Sequence, residues 1–214
     1  VRAVNSGKAP FHEPDLDALL AKAVREGRLS ATNEVREAVQ ACNVILLIVP
    51  TTITPGRSPD YSALEKACKE VGISMKRGSL VVVASTVGPG VTETLVKGAL
   101  ESGSGMEAGR DFGLAYCPIR ASAGQVLRDL ANYNRVIAGI DEYSLQSACA
   151  VFSLIVKGEL IKLNSLRAAE AAKLFENVYR DVNIALANEL SRFCEKAGLS
   201  YREVAEAANT QPFC

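Results

Sequence analysis

The chain has 214 residues, 48% of them hydrophobic, with 24 Lys plus Arg against 24 Asp plus Glu. This suits one large or two small domains with a packed core and argues against disorder. The balanced charge gives no basic excess for nucleic acid, and no apolar run reaches the roughly 18 residues of a membrane span.

The six cysteines, at 42, 68, 117, 149, 194 and 214, stand singly and form no CxxC pair. That pattern reads as reduced thiols rather than disulfides or a zinc site. With no signal-peptide pattern at the N-terminus, the expected location is the cytoplasm.

In chain order, the opening predicts a turn around Asn5 to Gly7 and a helix starting near Pro14 and Asp15 and ending at Gly27. His12, the sole histidine, sits just before that helix and reads as a cap or surface group, so no metal is expected. A short helix is predicted from Asn33 to Ala41. Asn43 to Pro50 (NVILLIVP) is a continuous apolar run of β-formers, the pattern of a central parallel strand buried on both faces. The pattern returns at Ser79 to Ser85 (SLVVVAS), with an amphipathic helix over Asp60 to Val71 between the two. A helix at Val91 to Leu100, strands at Phe112 to Cys117 and Arg135 to Gly139, a helix at Glu142 to Ile155 and a strand at Glu159 to Leu163 continue the alternation.

This is the pattern of a doubly wound α/β fold with a parallel sheet, whose ligands bind at the carboxyl ends of the strands. Those ends are Pro50, Thr51 and Thr52; Ser85, Thr86 and Val87; and Cys117, Pro118, Ile119 and Arg120. The STVGPG turn after the second strand is either an ordinary capped strand-to-helix turn or a place where free N–H groups and the helix dipole take an anion such as phosphate. SGSGMEAGR follows a helix and reads as a flexible surface loop. No GxGxxG, Walker, GxSxG or HExxH sequence occurs.

Ser165 to Gly198 contains no Pro and no internal Gly and reads as one long helix stopped by Gly198. Apolar residues including Leu174, Val178, Val182, Leu186 and Leu190 follow three-and-four spacing, and the helix is longer than one small domain covers. A homodimer through this helix is therefore expected. Glu170, Lys173, Asn177 and Arg180 stack along one side, as either a solvated stripe or a site.

The ordered segments NSGKAPFHEPDLDALL, VILLIVPT, VASTVGPGVTE, CPIRASAGQ with NRVIAG, and AEAAKLFENVYRDVNIALANEL resemble the UDP-glucose/GDP-mannose dehydrogenase family over nearly the whole chain. The resemblance implies a partial Rossmann-like NAD-binding domain over residues 1–163, without its first strand and glycine loop, and a truncated central helical dimerisation domain over 164–214. It implies NAD-dependent oxidation of the C6 alcohol of a nucleotide sugar, of UDP-N-acetylmannosamine or UDP-glucose type, to the carboxylate. Pro50, Thr51 and Thr86 would contact NAD, and Arg120, Lys173, Asn177 and Arg180 would meet the substrate, with Lys173, Asn177 and Thr86 in the catalytic group. In this resemblance the nucleophilic cysteine follows a glycine-rich stretch, so Cys214 is not expected to fill that role, and Ile119 stands where the family has Glu. The chain thus reads as the middle of a dehydrogenase, inactive alone and weak in NAD binding. Two other readings stand beside it: a non-catalytic dimerisation or nucleotide-sugar-binding module, and a dehydrogenase of 6-phosphogluconate or 3-hydroxyacid type.

Overall fold

The apolar runs form the strands of a five-stranded sheet in a computed structural model that describes residues 1–211. In chain order the strands are β1 (Val44–Leu47), β2 (Thr52–Ile53), β3 (Pro59–Asp60), β4 (Leu80–Val83), β5 (Gly113–Tyr116), β6 (Arg135–Gly139) and β7 (Leu160–Lys162). The main sheet has the order β1-β4-β5-β6-β7, and β2 pairs with β3 in a separate hairpin. The helices are α1 (Arg2–Asn5), α2 (Leu16–Arg25), α3 (Val35–Ala41), α4 (Ser62–Ser74), α5 (Lys97–Ser104), α6 (Val126–Asn132), α7 (Glu142–Ser153), α8 (Leu166–Ala197) and α9 (Tyr201–Ala208).

Alternation along the strands sends residues to two apolar layers. Val81 and Val83 of β4 and Leu114 and Tyr116 of β5 join a core with Leu64 and Cys68 of α4, Leu100 of α5, and Leu166 and Ala169 at the start of α8. Leu80, Val82, Ala115 and Ile137 point the other way, onto Ala148, Cys149 and Phe152 of α7. Both faces of β4 and β5 are therefore buried, as their continuous apolar runs predict.

In this chain β1 pairs with β4 alone, burying Ile45 and Leu47 and leaving Val44 and Leu46 exposed.

The expectation of a parallel sheet needs correction, since one pairing is antiparallel. β1, β4 and β5 run parallel, whereas β6 is antiparallel to β5 and β7 follows β6. The segment after β5 folds into the short α6 instead of crossing over to the amino end of the sheet, so β6 starts where β5 stops. Arg135, the first residue of β6, donates to the Pro118 carbonyl just beyond β5 at 3.1 Å.

The helix predicted at Val91 to Leu100 begins as a wider π-helical segment, Thr92–Val96, before tightening into α5. Such widened turns frequently sit at functional sites. The hairpin, α1, α6 and α9 were not legible as elements in the sequence reading. A signal for α9 existed in Ser200-Tyr-Arg-Glu203, since the Ser200 hydroxyl caps the Glu203 N–H at 3.4 Å.

The chain divides within α8 into two compact units, Val1–Lys173 and Leu174–Cys214. In the second unit α8 ends at Gly198, in the left-handed region at φ +69°, with the Leu199 N–H returning to the Cys194 carbonyl at 2.8 Å. Leu186, Leu190 and Phe193 of α8 face Val204 and Ala205 of α9 across an apolar cleft of about 600 Å³.

Candidate active site

The strand ends of the first unit are laced together by hydroxyls. The Thr51 hydroxyl donates to the Thr86 carbonyl at 2.8 Å, and Ser85 donates to the Val49 carbonyl at 2.7 Å, which fixes the carboxyl end of β1 against that of β4. Thr51 and Thr86 are thus brought together as neighbours on one edge, with Pro50 exposed beside them. The Thr86 side chain is half-buried, and its hydroxyl has no partner among the described residues.

Three donors at the turn after β4 and the helix start that follows it are bonded from within the chain: Gly88 N–H donates to the Tyr61 hydroxyl at 2.9 Å, Gly90 N–H to Glu170 Oε2 at 2.5 Å, and Thr92 N–H to Glu170 Oε1 at 2.8 Å. The anion at this helix start is the Glu170 carboxylate, which is 0% exposed. Free N–H groups and the dipole at a helix N-terminus favour negative charge, and a side chain from α8 supplies it. The N–H groups of Gly90 and Thr92 are thereby taken by an internal carboxylate.

The same observation corrects the solvated-stripe reading for the first half of the polar row. Glu170 is fully buried and Lys173 is 8% exposed, whereas in the second unit Asn177 is half-buried and Arg180 exposed. Arg180 lines an open cleft of about 580 Å³ with Glu176, Tyr179 and Asn183.

The segment after β5 is organised by a second buried glutamate. Glu13, 6% exposed, accepts from the N–H groups of Gly124 and Val126 at 2.9 and 2.7 Å, at the start of α6. Arg120, on this segment, donates to the Asn134 carbonyl at 2.8 Å. Ile119, half-buried, donates its N–H to the Ala84 carbonyl at 3.3 Å, so the segment also bonds the end of β4. Cys117 is buried, and burial pushes its thiol up to about 12 against a smaller opposing pull from Arg135, which favours the protonated thiol. Cys214 lies outside the described residues. His12 is exposed, and no cluster of three or more His, Cys, Asp or Glu able to hold a metal occurs among the described residues.

Sequence reasoning missed Glu13 altogether and gave Glu170 no separate role. A carboxylate at helical spacing carries no local sign of the loop it will cap when that loop lies about 80 or more positions away.

Residues 1–156 match the NAD-binding domain of the UDP-glucose/GDP-mannose dehydrogenase family, and residues 167–214 match its central domain. A UDP-N-acetyl-D-mannosamine dehydrogenase of Pyrococcus horikoshii is 37% identical over 212 residues, 99% of this chain and 50% of that protein. A solved UDP-D-ManNAc dehydrogenase structure from Pyrococcus horikoshii superposes with a TM-score of 0.92 at 37% identity, over 99% of this chain and 50% of that one. A GDP-mannose dehydrogenase from Pseudomonas aeruginosa, solved as a ternary complex, gives a TM-score of 0.91 at 28% identity, over 99% of this chain and 49% of that one. The chain spans about half the length of these relatives. Both domain matches, in order and covering nearly every residue, establish that the chain belongs to the UDP-glucose/GDP-mannose dehydrogenase family.

Proposed function

We propose that the protein to which this chain belongs oxidises the C6 alcohol of a nucleotide sugar, of UDP-N-acetylmannosamine or UDP-glucose type, to the carboxylate, with NAD as the hydride acceptor. The observation that carries this reading is the burial of Lys173, one turn beyond the carboxylate that fastens α8 to the turn after β4. An ammonium removed from water is a strong partner for charge that develops on a reacting oxygen, because screening there is weak and no reorganisation is needed.

The residues present fit a dinucleotide in part. The half-buried Thr86 hydroxyl, beside Pro50 and Thr51 on the carboxyl edge, suits a polar group of the cofactor, while the N–H groups of Gly90 and Thr92 are already bonded to Glu170 and hold no pyrophosphate. When bound, NAD supplies the oxidising equivalents. In this reading Lys173 stabilises the oxygen at C6 as charge builds there, Asn177 adds a neutral donor, and Arg120 and Arg180 meet the polar groups of the sugar nucleotide. Residues 1–163 form the cofactor domain and 164–214 the dimerisation domain, in a cytoplasmic homodimer.

The test is steady-state kinetics of Lys173→Ala and Lys173→Arg in the whole protein, with NAD and UDP-N-acetylmannosamine or UDP-glucose. Lys173→Ala is expected to lower kcat by about 10²- to 10³-fold, roughly 3 to 4 kcal/mol, with little change in NAD affinity. Lys173→Arg is expected to fail nearly as badly, since a planar fork does not replace a compact ammonium. A kcat for the Ala variant within about threefold of wild type would remove Lys173 from the mechanism.

A further inference from the structure

We infer that Glu170 is a positioning residue for Lys173, locking the turn that follows β4 onto the first turns of α8; its catalytic consequence rests on the dehydrogenase reading above. The Glu170 carboxylate uses both oxygens, one on the N–H of Gly90 at 2.5 Å and one on the N–H of Thr92 at 2.8 Å. Two bonds from one planar group to donors two residues apart fix orientation as well as distance, and both are charge-assisted. Burial makes the arrangement stringent, since a fully enclosed carboxylate that lost either donor would bear the desolvation cost without compensation.

The receiving turn is shaped for this contact. Gly90 adopts φ +95°, a conformation open to glycine and strained for other residues, and it brings its N–H round to α8. A second tether comes from the preceding turn of α8, where Arg167 Nε meets Glu93 Oε2 at 2.7 Å. That pair is exposed and contributes little, so the buried glutamate dominates the registration.

Lys173 follows Glu170 by three residues on the same helix face, within the same compact unit. Helical side chains lean toward the N-terminus, so the Lys173 stem lies over the turn that Glu170 anchors. Thr86 lies four residues before Gly90 on the other partner of the clamp. One carboxylate therefore sets the separation between the loop that carries Thr86 and the helix that carries Lys173. Its own atoms are taken by backbone N–H groups, so it acts through Lys173 and does not touch substrate.

Glu170→Gln and Glu170→Asp in the whole protein test this. Gln keeps the shape but sets an NH2 against one of the two N–H donors, and Asp falls one methylene short. Both variants are expected to lower kcat on the order of 100-fold, the effect of displacing a reacting group by about 1 Å, while KM for NAD and for the nucleotide sugar stays within about threefold. Independently of turnover, amide exchange at Gly90 and Thr92 is expected to quicken about tenfold or more, and acylation of Lys173 by acetic anhydride to speed up by a similar factor. If both variants are less stable yet keep wild-type kcat when folded, Glu170 is only structural and the inference is overturned. If the wild-type protein oxidises no nucleotide sugar, the dehydrogenase reading fails by itself and the acylation rate decides: faster labelling of Lys173 supports positioning, and an unchanged rate overturns it.

Discussion

Glu13 accepts a hydrogen bond of 2.7 Å from the backbone N–H of Val126, 113 positions further along the chain. Its second oxygen holds the N–H of Gly124 at 2.9 Å, so this carboxylate caps α6 as Glu170 caps the helix after β4. A buried acceptor removed from two backbone donors leaves them unsatisfied, at about 1 to 3 kcal/mol for each group stranded. Glu13→Ala is expected to destabilise the chain by roughly 2 to 3 kcal/mol in urea unfolding, within the range of losing a strong helix cap. A loss below about 0.5 kcal/mol, the level of an ordinary surface substitution, would show that solvent replaces the carboxylate.

Helices α4 and α5 cross at glycines. A Cβ built on Gly72 would lie 2.8 Å from the Leu100 carbonyl oxygen, and one on Gly103 would lie 3.1 Å from the Lys69 carbonyl oxygen. Backbone sits on both sides of this crossing, so neither helix yields to a methyl group without moving. Gly72→Ala is expected to cost about 1 to 3 kcal/mol through overpacking. Gly98→Ala, one helical segment away, meets nothing within 4 Å and is expected to gain up to about 1 kcal/mol from helix propensity. Thermal melts of the two variants should move in opposite directions; a matching sign would refute the close-crossing account.

Asp111 titrates at about 2, below the usual carboxylate range, because Arg110 and the Glu107 N–H hydrogen-bond its ionised form, with Arg77 adding a further attraction. Its folded value lies under its unfolded value of about 3.9, so the stabilisation is present above pH 4 and is lost as pH falls from about 4 through about 2. Asp111→Asn is expected to be less stable than wild type at pH 7 and to show a shallower decline between pH 4 and 2. Parallel pH profiles for the two proteins across that window would exclude Asp111 as a source of the acid sensitivity.

The long helix leaves Phe175, Val178 and Val182 exposed at three-and-four spacing, which makes a continuous apolar stripe. In the proposed homodimer this stripe meets its counterpart, and Val182→Asp should convert a dimer to a monomer in sedimentation velocity. Leu186→Asp and Leu190→Asp should also dissociate it, but these residues line the cleft shared with α9. They are therefore expected to lower the stability of the second unit as well. A wild-type monomer mass independent of concentration would count against the interface.

The sequence alone determined the strands, the long helix and the carboxyl edge as the place to look, because apolar run length, helical periodicity and turn residues are local properties. Thr51, Thr86 and Arg120 stand at those predicted strand ends. The tertiary structure decided which way β6 runs and which side chain fills each helix start. Glu170 and Arg180 sit in one polar row, yet the first is buried against backbone N–H groups and the second is exposed. A carboxylate's partner is set by the loop that folding brings beside it, and helical spacing records only which of its own helix neighbours share its face.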